Sequence, residues 1–261
     1  MQHLLRKKII LLIALVGFAT TAFSQFDEVF QPDHDDLPYY LGMSLGMTNS
    51  YLSFTRSSNF LSQPYPGGAN KINPIQTTYI NLGLTGTLKL SNHFLIRTNP
   101  TLLISGNRNA FNYTMLPTST NKDTSTITYS IPSVIVDVPI SIKMQSDRYN
   151  AFRFADIMRH YLLAGVKFGF DLGAEKAATI NSTQNNTDRQ YLNVIKGTDM
   201  ALEVGLGVSF YLRYATISPE VKFSYGLRDL RKINEPIKYP LVTSLQKITS
   251  NFIYFTVLIE N

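Results

Sequence analysis

The sequence predicts an all-β protein: an eight-stranded antiparallel up-and-down transmembrane β-barrel with its apolar face outward. Three observations carry this expectation. Between 39 and 261, stretches in which apolar residues alternate with polar or small ones recur about eight times, and alternation puts one type of side chain on each face of a strand. The connections run long, short, long, short, so one end has tight turns and the other large loops. Beyond the first 24 residues no run of about twenty apolar residues occurs, which removes helical spanning.

The chain divides into three parts. Residues 1–24 read as a secretory signal peptide: Arg6, Lys7 and Lys8 precede an apolar run over 9–18, and Ala22, Phe23 and Ser24 supply a cleavage site. An uncleaved anchor is the alternative. Residues 25–38, with Asp33, His34, Asp35 and Asp36, form a short periplasmic tail, and 39–261 form the barrel domain. Cys is absent, so there is neither a disulfide framework nor a cysteine to lipidate. A closed barrel provides stability by another route, since every backbone group in its wall is paired. Removing the signal leaves 21 Lys and Arg against 18 Asp and Glu, a balance that gives no case for nucleic acid binding. Phe and Tyr total 31, a composition that a soluble β-sandwich can share, so the periodicity carries the argument.

Each strand can be read in order. In 39–49, Leu41, Met43, Leu45 and Met47 oppose Gly42, Ser44, Gly46 and Thr48. In 80–90, Ile80, Leu82, Leu84, Leu88 and Leu90 oppose Asn81, Gly83, Thr85, Thr87 and Lys89. After a tight turn at Ser91, Asn92 and His93, Phe94, Ile96, Leu102 and Ile104 oppose Arg97, Asn99, Thr101 and Ser105. Val134, Val136, Val138, Ile140 and Ile142 oppose Ser133, Asp137, Ser141 and Lys143. Leu162, Ala164, Val166, Phe168, Phe170 and Leu172 oppose Gly165, Lys167, Gly169, Asp171 and Gly173. Residues 201–212 alternate almost without error, with Leu202 through Leu212 on one face and Glu203, Gly205, Gly207 and Ser209 on the other. Arg213 and Tyr214 make a hairpin into 215–226, where Ile217, Val221, Phe223 and Tyr225 oppose Glu220 and Lys222. In the last strand, Ile253, Phe255, Val257 and Ile259 oppose Phe252, Tyr254, Thr256, Leu258 and Glu260.

The uniformly apolar face is the lipid face, and the mixed face is the lumen. The lumen face carries Lys89, Arg97, Lys143, Lys167 and Lys222 against Asp137, Asp171, Glu203, Glu220 and Glu260. An eight-stranded barrel is just wide enough for side chains to fill, and buried charges persist when paired. An internal ion-pair network that plugs the lumen follows. A water-facing sheet with mixed charges would give the same pattern. With both termini periplasmic, the segments near 50–74, 108–126, 174–198 and 227–250 are outer loops, rich in Asn, Ser, Thr, Gly and Pro. The other end holds turns near 91–93, 145–160 and 213–214, the middle one long for its side.

Nothing in the sequence forms a catalytic or metal signature. His3, His34, His93 and His160 lie apart without partners at ligand spacing. The 33–36 segment lacks the glycine and distal glutamate of a calcium loop. Gly205, Leu206 and Gly207 sit within a strand and open no helix, so they cradle no phosphate. The outer acids Asp123, Asp188 and Asp229 have no histidine beside them. The expectation is a non-enzymatic protein with no cofactor and no small-molecule substrate. The last outer loop is basic: Arg228, Arg231, Lys232, Lys238 and Lys247 outnumber Asp229 and Glu235. Two readings stand open for it, a contact to lipopolysaccharide phosphates or an acidic partner, and a solvated loop.

Several stretches carry a family resemblance. They are Asp137, Val138 and Pro139 with Lys143; the run from Tyr161 to Lys167 leading to Asp171 and Leu172; the run from Glu203 to Val208; and the run from Ser218 to Leu227. The opening run from Leu41 to Gly46 adds to them. In these the chain resembles the PorT family of Bacteroidetes outer-membrane barrels, which is associated with type IX secretion and gliding motility. The first outer loop and the 108–126 segment do not share the resemblance. It implies outer-membrane localisation in a Gram-negative bacterium and participation in protein export without catalysis. The partners it implies are membrane lipids and other secretion-system proteins. A general structural or adhesive barrel is the alternative.

Overall fold

The computed structural model describes residues 37–57, 69–105, 108–115, 126–131, 134–149, 157–173, 195–231 and 245–261; for 69–72, 108–115 and 126–131 the description is of the backbone. The expected signal peptide, residues 25–36 and parts of the outer loops lie outside these residues.

Twelve strands follow in chain order: β1 Tyr39–Arg56, β2 Ala69–Pro74, β3 Thr77–Lys89, β4 Phe94–Thr98, β5 Thr101–Ile104, β6 Arg108–Met115, β7 Thr126–Ile131, β8 Val134–Gln145, β9 Met158–Asp171, β10 Thr198–Tyr211, β11 Thr216–Gly226 and β12 Leu245–Glu260. The wall order is β1-β12-β11-β10-β9-β8, then β4 and β5, then β3, and β1 also pairs with β3. That last pairing closes the sheet on itself, so no wall edge is left to seek a partner. β4 and β5 are one wall strand. Thr98 faces Gly86 and Thr101 faces Gly83, so the register is continuous across Asn99 and Pro100. Pro100 has no N–H to give to the ladder, and its carbonyl still accepts from the Leu84 N–H at 3.0 Å. Counted this way the wall has eight strands, all antiparallel, in agreement with the alternation.

The lipid face is as apolar as the sequence predicts. Leu41, Met43, Leu84 and Val204 are all more than half exposed. So large a display of apolar surface is stable only against lipid. Aromatic rings stand toward both ends of it: Tyr39, Phe94 and Tyr214 near the short turns, and Tyr51, Phe170 and Tyr225 near the long connections, as interfacial girdles do.

The outer end differs from the expectation. Segments read as loops near 50–74 and 108–126 contain strand. β1 continues to Arg56, paired with β12 down to Leu245. β2, β6 and β7 form a separate three-stranded sheet. Because β2 leads into β3, β5 into β6 and β7 into β8, this sheet repeats the order of three adjacent wall strands and continues them outward. The alternation is present, Phe111, Tyr113 and Met115 against Asn112 and Thr114, and Ile127, Tyr129 and Ile131 against Thr126, Thr128 and Ser130, but the short runs lie among Asn, Ser, Thr and Pro and so read as loop. The short end matches better. Leu212 donates to the Ala215 carbonyl at 3.1 Å across the hairpin, and Ser91 Oγ accepts from the Phe94 N–H at 3.1 Å. In the long turn, Tyr149 bridges to Met158, so paired structure reaches further into it than the strand pattern suggests.

Glycines set the wall spacing at specific points. A Cβ on Gly165 would strike the Ile140 carbonyl oxygen and Ser141 Cα of β8. The obstacle is backbone and cannot swing aside. Gly86 differs: its Cβ would meet only Leu41 Cδ2 and Thr98 Cγ2, each at 3.7 Å. Gly165→Ala is therefore expected to cost about 1–3 kcal/mol through overpacking, and Gly86→Ala close to nothing. Urea titration of the folded barrel in vesicles, read by heat-dependent gel mobility, compares the two. Equal midpoints would remove this account of the β8–β9 spacing.

Candidate functional site: a filled lumen and a basic outer rim

The lumen is layered. Toward the outer end an apolar cluster of Tyr79, Leu103, Ile135, Phe252 and Tyr254 fills the bore. Leu52, Leu230, Leu245 and Ile248 lie above it, nearly without exposure. Strand parity places Leu52, Tyr79, Leu103, Ile135, Ile248, Phe252 and Tyr254 in the lumen, while Leu230 follows the end of β11 and Leu245 lies beyond a register shift in β12.

Below the apolar cluster sits the first charged group. Lys167 Nζ lies 3.3 Å from Asp137 Oδ2, and Tyr254 donates its hydroxyl to the same oxygen at 2.5 Å. Lys167 also donates to Tyr254 Oη at 2.9 Å and lies 3.8 Å from the Phe252 ring centroid. A cation over a ring face gains further stabilisation where water is excluded. Glu203 is 1% exposed. Its Oε2 has no hydrogen-bond donor among the described residues, and Lys222 and Lys167 supply the opposing charge.

The second charged group lies nearer the short turns and centres on Arg97. Its Nη1 donates to Glu220 Oε2 at 3.1 Å, and its Nη2 to Glu260 Oε1 and Oε2 at 3.1 and 3.0 Å. Its Nε donates to Thr87 Oγ1 at 3.2 Å, and that hydroxyl donates to Glu260 Oε1 at 3.1 Å. Tyr161 donates to Glu220 Oε2 at 2.8 Å. Lys222 Nζ is 3.8 Å from Glu220 Oε1, and Lys143 Nζ is 4.2 Å from the Tyr161 ring centroid. One planar guanidinium thus ties together carboxylates from β11 and β12, the geometry that suits Arg over Lys.

The structure brings together eight of the ten lumen residues singled out from sequence: Arg97, Asp137, Lys143, Lys167, Glu203, Glu220, Lys222 and Glu260 are all buried. Lys89 and Asp171 are half-buried at opposite strand ends, one beside the first short turn and the other at the outer rim. Sequence reading assigned no role to the hydroxyls of Tyr161 and Tyr254. Both have lumen parity, so a tyrosine among lumen charges was the available signal. Arg159, read from sequence as part of the 145–160 turn, lies in β9 and is buried near the Tyr211 ring at the other end of the bore.

At the outer rim the basic residues part company. Arg231 forks onto Asp229, Nη2 to Oδ2 at 2.7 Å and Nε to Oδ2 at 2.8 Å, and donates to the Leu245 carbonyl. Asp229 Oδ1 accepts from the Ile248 and Arg231 N–H groups, each at 3.2 Å. Partial burial pushes the Asp229 carboxyl up, but these donors and the Arg231 charge outweigh it and hold it below its ordinary value. Arg231 is thereby tied into the turn. Arg228 is exposed, and its Nη1 donates to Thr198 Oγ1 at 2.8 Å. Lys247 is half-buried near the start of β12. Lys232 and Lys238 fall outside the described residues. Among the described residues, no cluster of His, Cys, Asp and Glu can hold a metal ion.

A closed antiparallel barrel with an apolar outer face and a filled bore defines an outer-membrane β-barrel protein, and the outer membrane is where it resides. The profile of the outer membrane protein beta-barrel domain family matches residues 31–232, and the chain belongs to that family. No curated protein matches the chain. Among solved structures it is similar to neisserial surface protein A (NspA) at 9% identity and a TM-score of 0.41, over 86% of this chain and 96% of that one. It is also similar to Ail, the attachment invasion locus protein of Yersinia pestis, at 10% identity and a TM-score of 0.36, over 86% and 100%. A third is the outer membrane protease OmpT from Escherichia coli, at 10% identity and a TM-score of 0.36, over 89% and 98%. Likeness at this level concerns the fold alone.

Proposed function

We propose that this barrel is a non-enzymatic accessory component of type IX protein secretion, and of the gliding motility associated with it, in a Bacteroidetes outer membrane. The observation that carries the reading is the filled bore: Arg97 of β4 reaches Glu220 of β11 and Glu260 of β12, and Tyr254 of β12 reaches Asp137 of β8 and Lys167 of β9, all across the bore at hydrogen-bonding distance. A barrel closed in this way works through its surfaces rather than as a conduit. The resemblance of 137–143, 161–172, 203–208 and 218–227 to the PorT family supports secretion as the process served. A clean deletion tests it. The expected result is cargo accumulating in the periplasm and depleted from the medium, restored by the wild-type chain. Normal secretion from the deletion strain would overturn the reading.

A structural or adhesive barrel is the second reading. The outward continuation of the wall as β2, β6 and β7 favours it, since it carries paired strand beyond the wall at the outer end. Intact secretion together with an envelope or attachment defect would select it.

A further inference from the structure

We infer that the outer rim between β9, β10 and the end of β11 is a binding site for a phosphorylated acyl glycolipid of the outer leaflet. The site is a groove of about 490 Å³ on the lipid side of the wall. Phe168, Phe170, Met200 and Leu227 line its lower part, and Thr198, Asp199 and Arg228 close its upper part. The register explains why these residues share one patch. Met200 faces Phe168 across β9, and Thr198 faces Phe170. The Leu227 N–H reaches the Met200 carbonyl at 2.8 Å and carries Arg228 alongside Thr198.

The polarity of the groove selects the ligand. Its apolar floor lies on the lipid face, where an acyl chain fits. Arg228 stands at its top, where β9 and β10 end and the long connections begin. In barrels of this kind that end faces outward, so the arginine sits at the level of outer-leaflet headgroups. Its partner among the described residues is neutral, the Thr198 hydroxyl. The carboxylate among the lining residues is engaged by other donors: Asp199 accepts from Ser250 Oγ at 2.6 Å and from the Met200 N–H at 2.8 Å. Thr198 therefore fixes one arm of the guanidinium and leaves the rest of a planar cationic fork facing outward, an arrangement that suits phosphate. The wider groove around Leu84, Pro100 and Leu102 has no charged lining residue and offers a headgroup nothing to select. Arg231 does not take part, because Asp229 already neutralises it.

The test uses the full-length chain refolded in mild detergent, with lipid retention read by native mass spectrometry. The probes are phosphorylated lipid A, the same lipid dephosphorylated, and phosphatidylglycerol. The wild-type barrel is expected to retain phosphorylated lipid A in preference to both others. Arg228→Gln is expected to weaken retention about tenfold, since it replaces a charge-assisted contact with a neutral one. Arg228→Lys is expected to fall between them. Met200→Trp keeps the charge but fills the groove, and is expected to lose retention too. Heat-dependent gel mobility shows that each variant is folded. Equal retention by Arg228→Gln and wild type, or equal retention of dephosphorylated lipid A or phosphatidylglycerol, would overturn the assignment.

Discussion

Replacing Arg97 with Met is expected to destabilise the folded barrel by about 3–5 kcal/mol, the cost of leaving buried carboxylates without their cation. Glu220 and Glu260 are each about 1% exposed as side chains and lie 3.1 and 3.0 Å from the guanidinium. Without it, Glu260 retains the Thr87 hydroxyl, while Glu220 retains Tyr161 and, at 3.8 Å, Lys222. Glu260 loses two contacts to the guanidinium and Glu220 one, so adding Glu260→Gln to Arg97→Met is expected to recover part of the loss. Trp is absent, so the unfolding midpoint in urea is followed by tyrosine fluorescence and by gel mobility in vesicles. A single replacement as stable as wild type would mean that water reaches these carboxylates and that the bore is not sealed at this level.

Placing a charge on the opposite face tests the other half of the architecture. Val204 stands near the middle of β10, more than half exposed, opposite Phe223 of β11 and Ala164 of β9. On a water-facing sheet, Val204→Arg would change stability by no more than about 0.5 kcal/mol. At the middle of a bilayer it is expected to cost about 2–4 kcal/mol. Thr198, near the outer end of the same strand, provides the depth comparison: Thr198→Arg is expected to cost about 1 kcal/mol or less. The same urea titration in vesicles reads both. Equal, small effects at the two positions would contradict a lipid-facing β10.

Two lumen tyrosines show how far parity reaches. Tyr254 falls on the lumen face by its spacing from Thr256 and Glu260, and the fold puts it there. Parity assigns the face, but it does not assign the partner. Tyr254 meets Asp137, which is 117 positions away, and Tyr161 meets Glu220, which is 59 away. Such pairings depend on the stagger between non-adjacent strands across a closed wall, which no local pattern encodes. The rim shows the same limit. Arg228 and Arg231 look alike in a basic stretch, yet Asp229 takes up Arg231 and leaves Arg228 over an apolar groove.

The sequence by itself determined the eight wall strands, which of their faces meets lipid, the tight turns at one end and the presence of charge inside. All of these follow from alternation and local turn chemistry, which act over a few residues. The tertiary structure decided the rest. It joined β4 and β5 through Pro100 and extended the wall outward as β2, β6 and β7. It moved Lys89 and Asp171 to the margins of the bore and gathered Arg97, Glu220 and Glu260 from three strands into one contact. The physical reason is closure. Only when the sheet curls until β1 meets both β3 and β12 do residues far apart in the chain face one another across a space that side chains must fill.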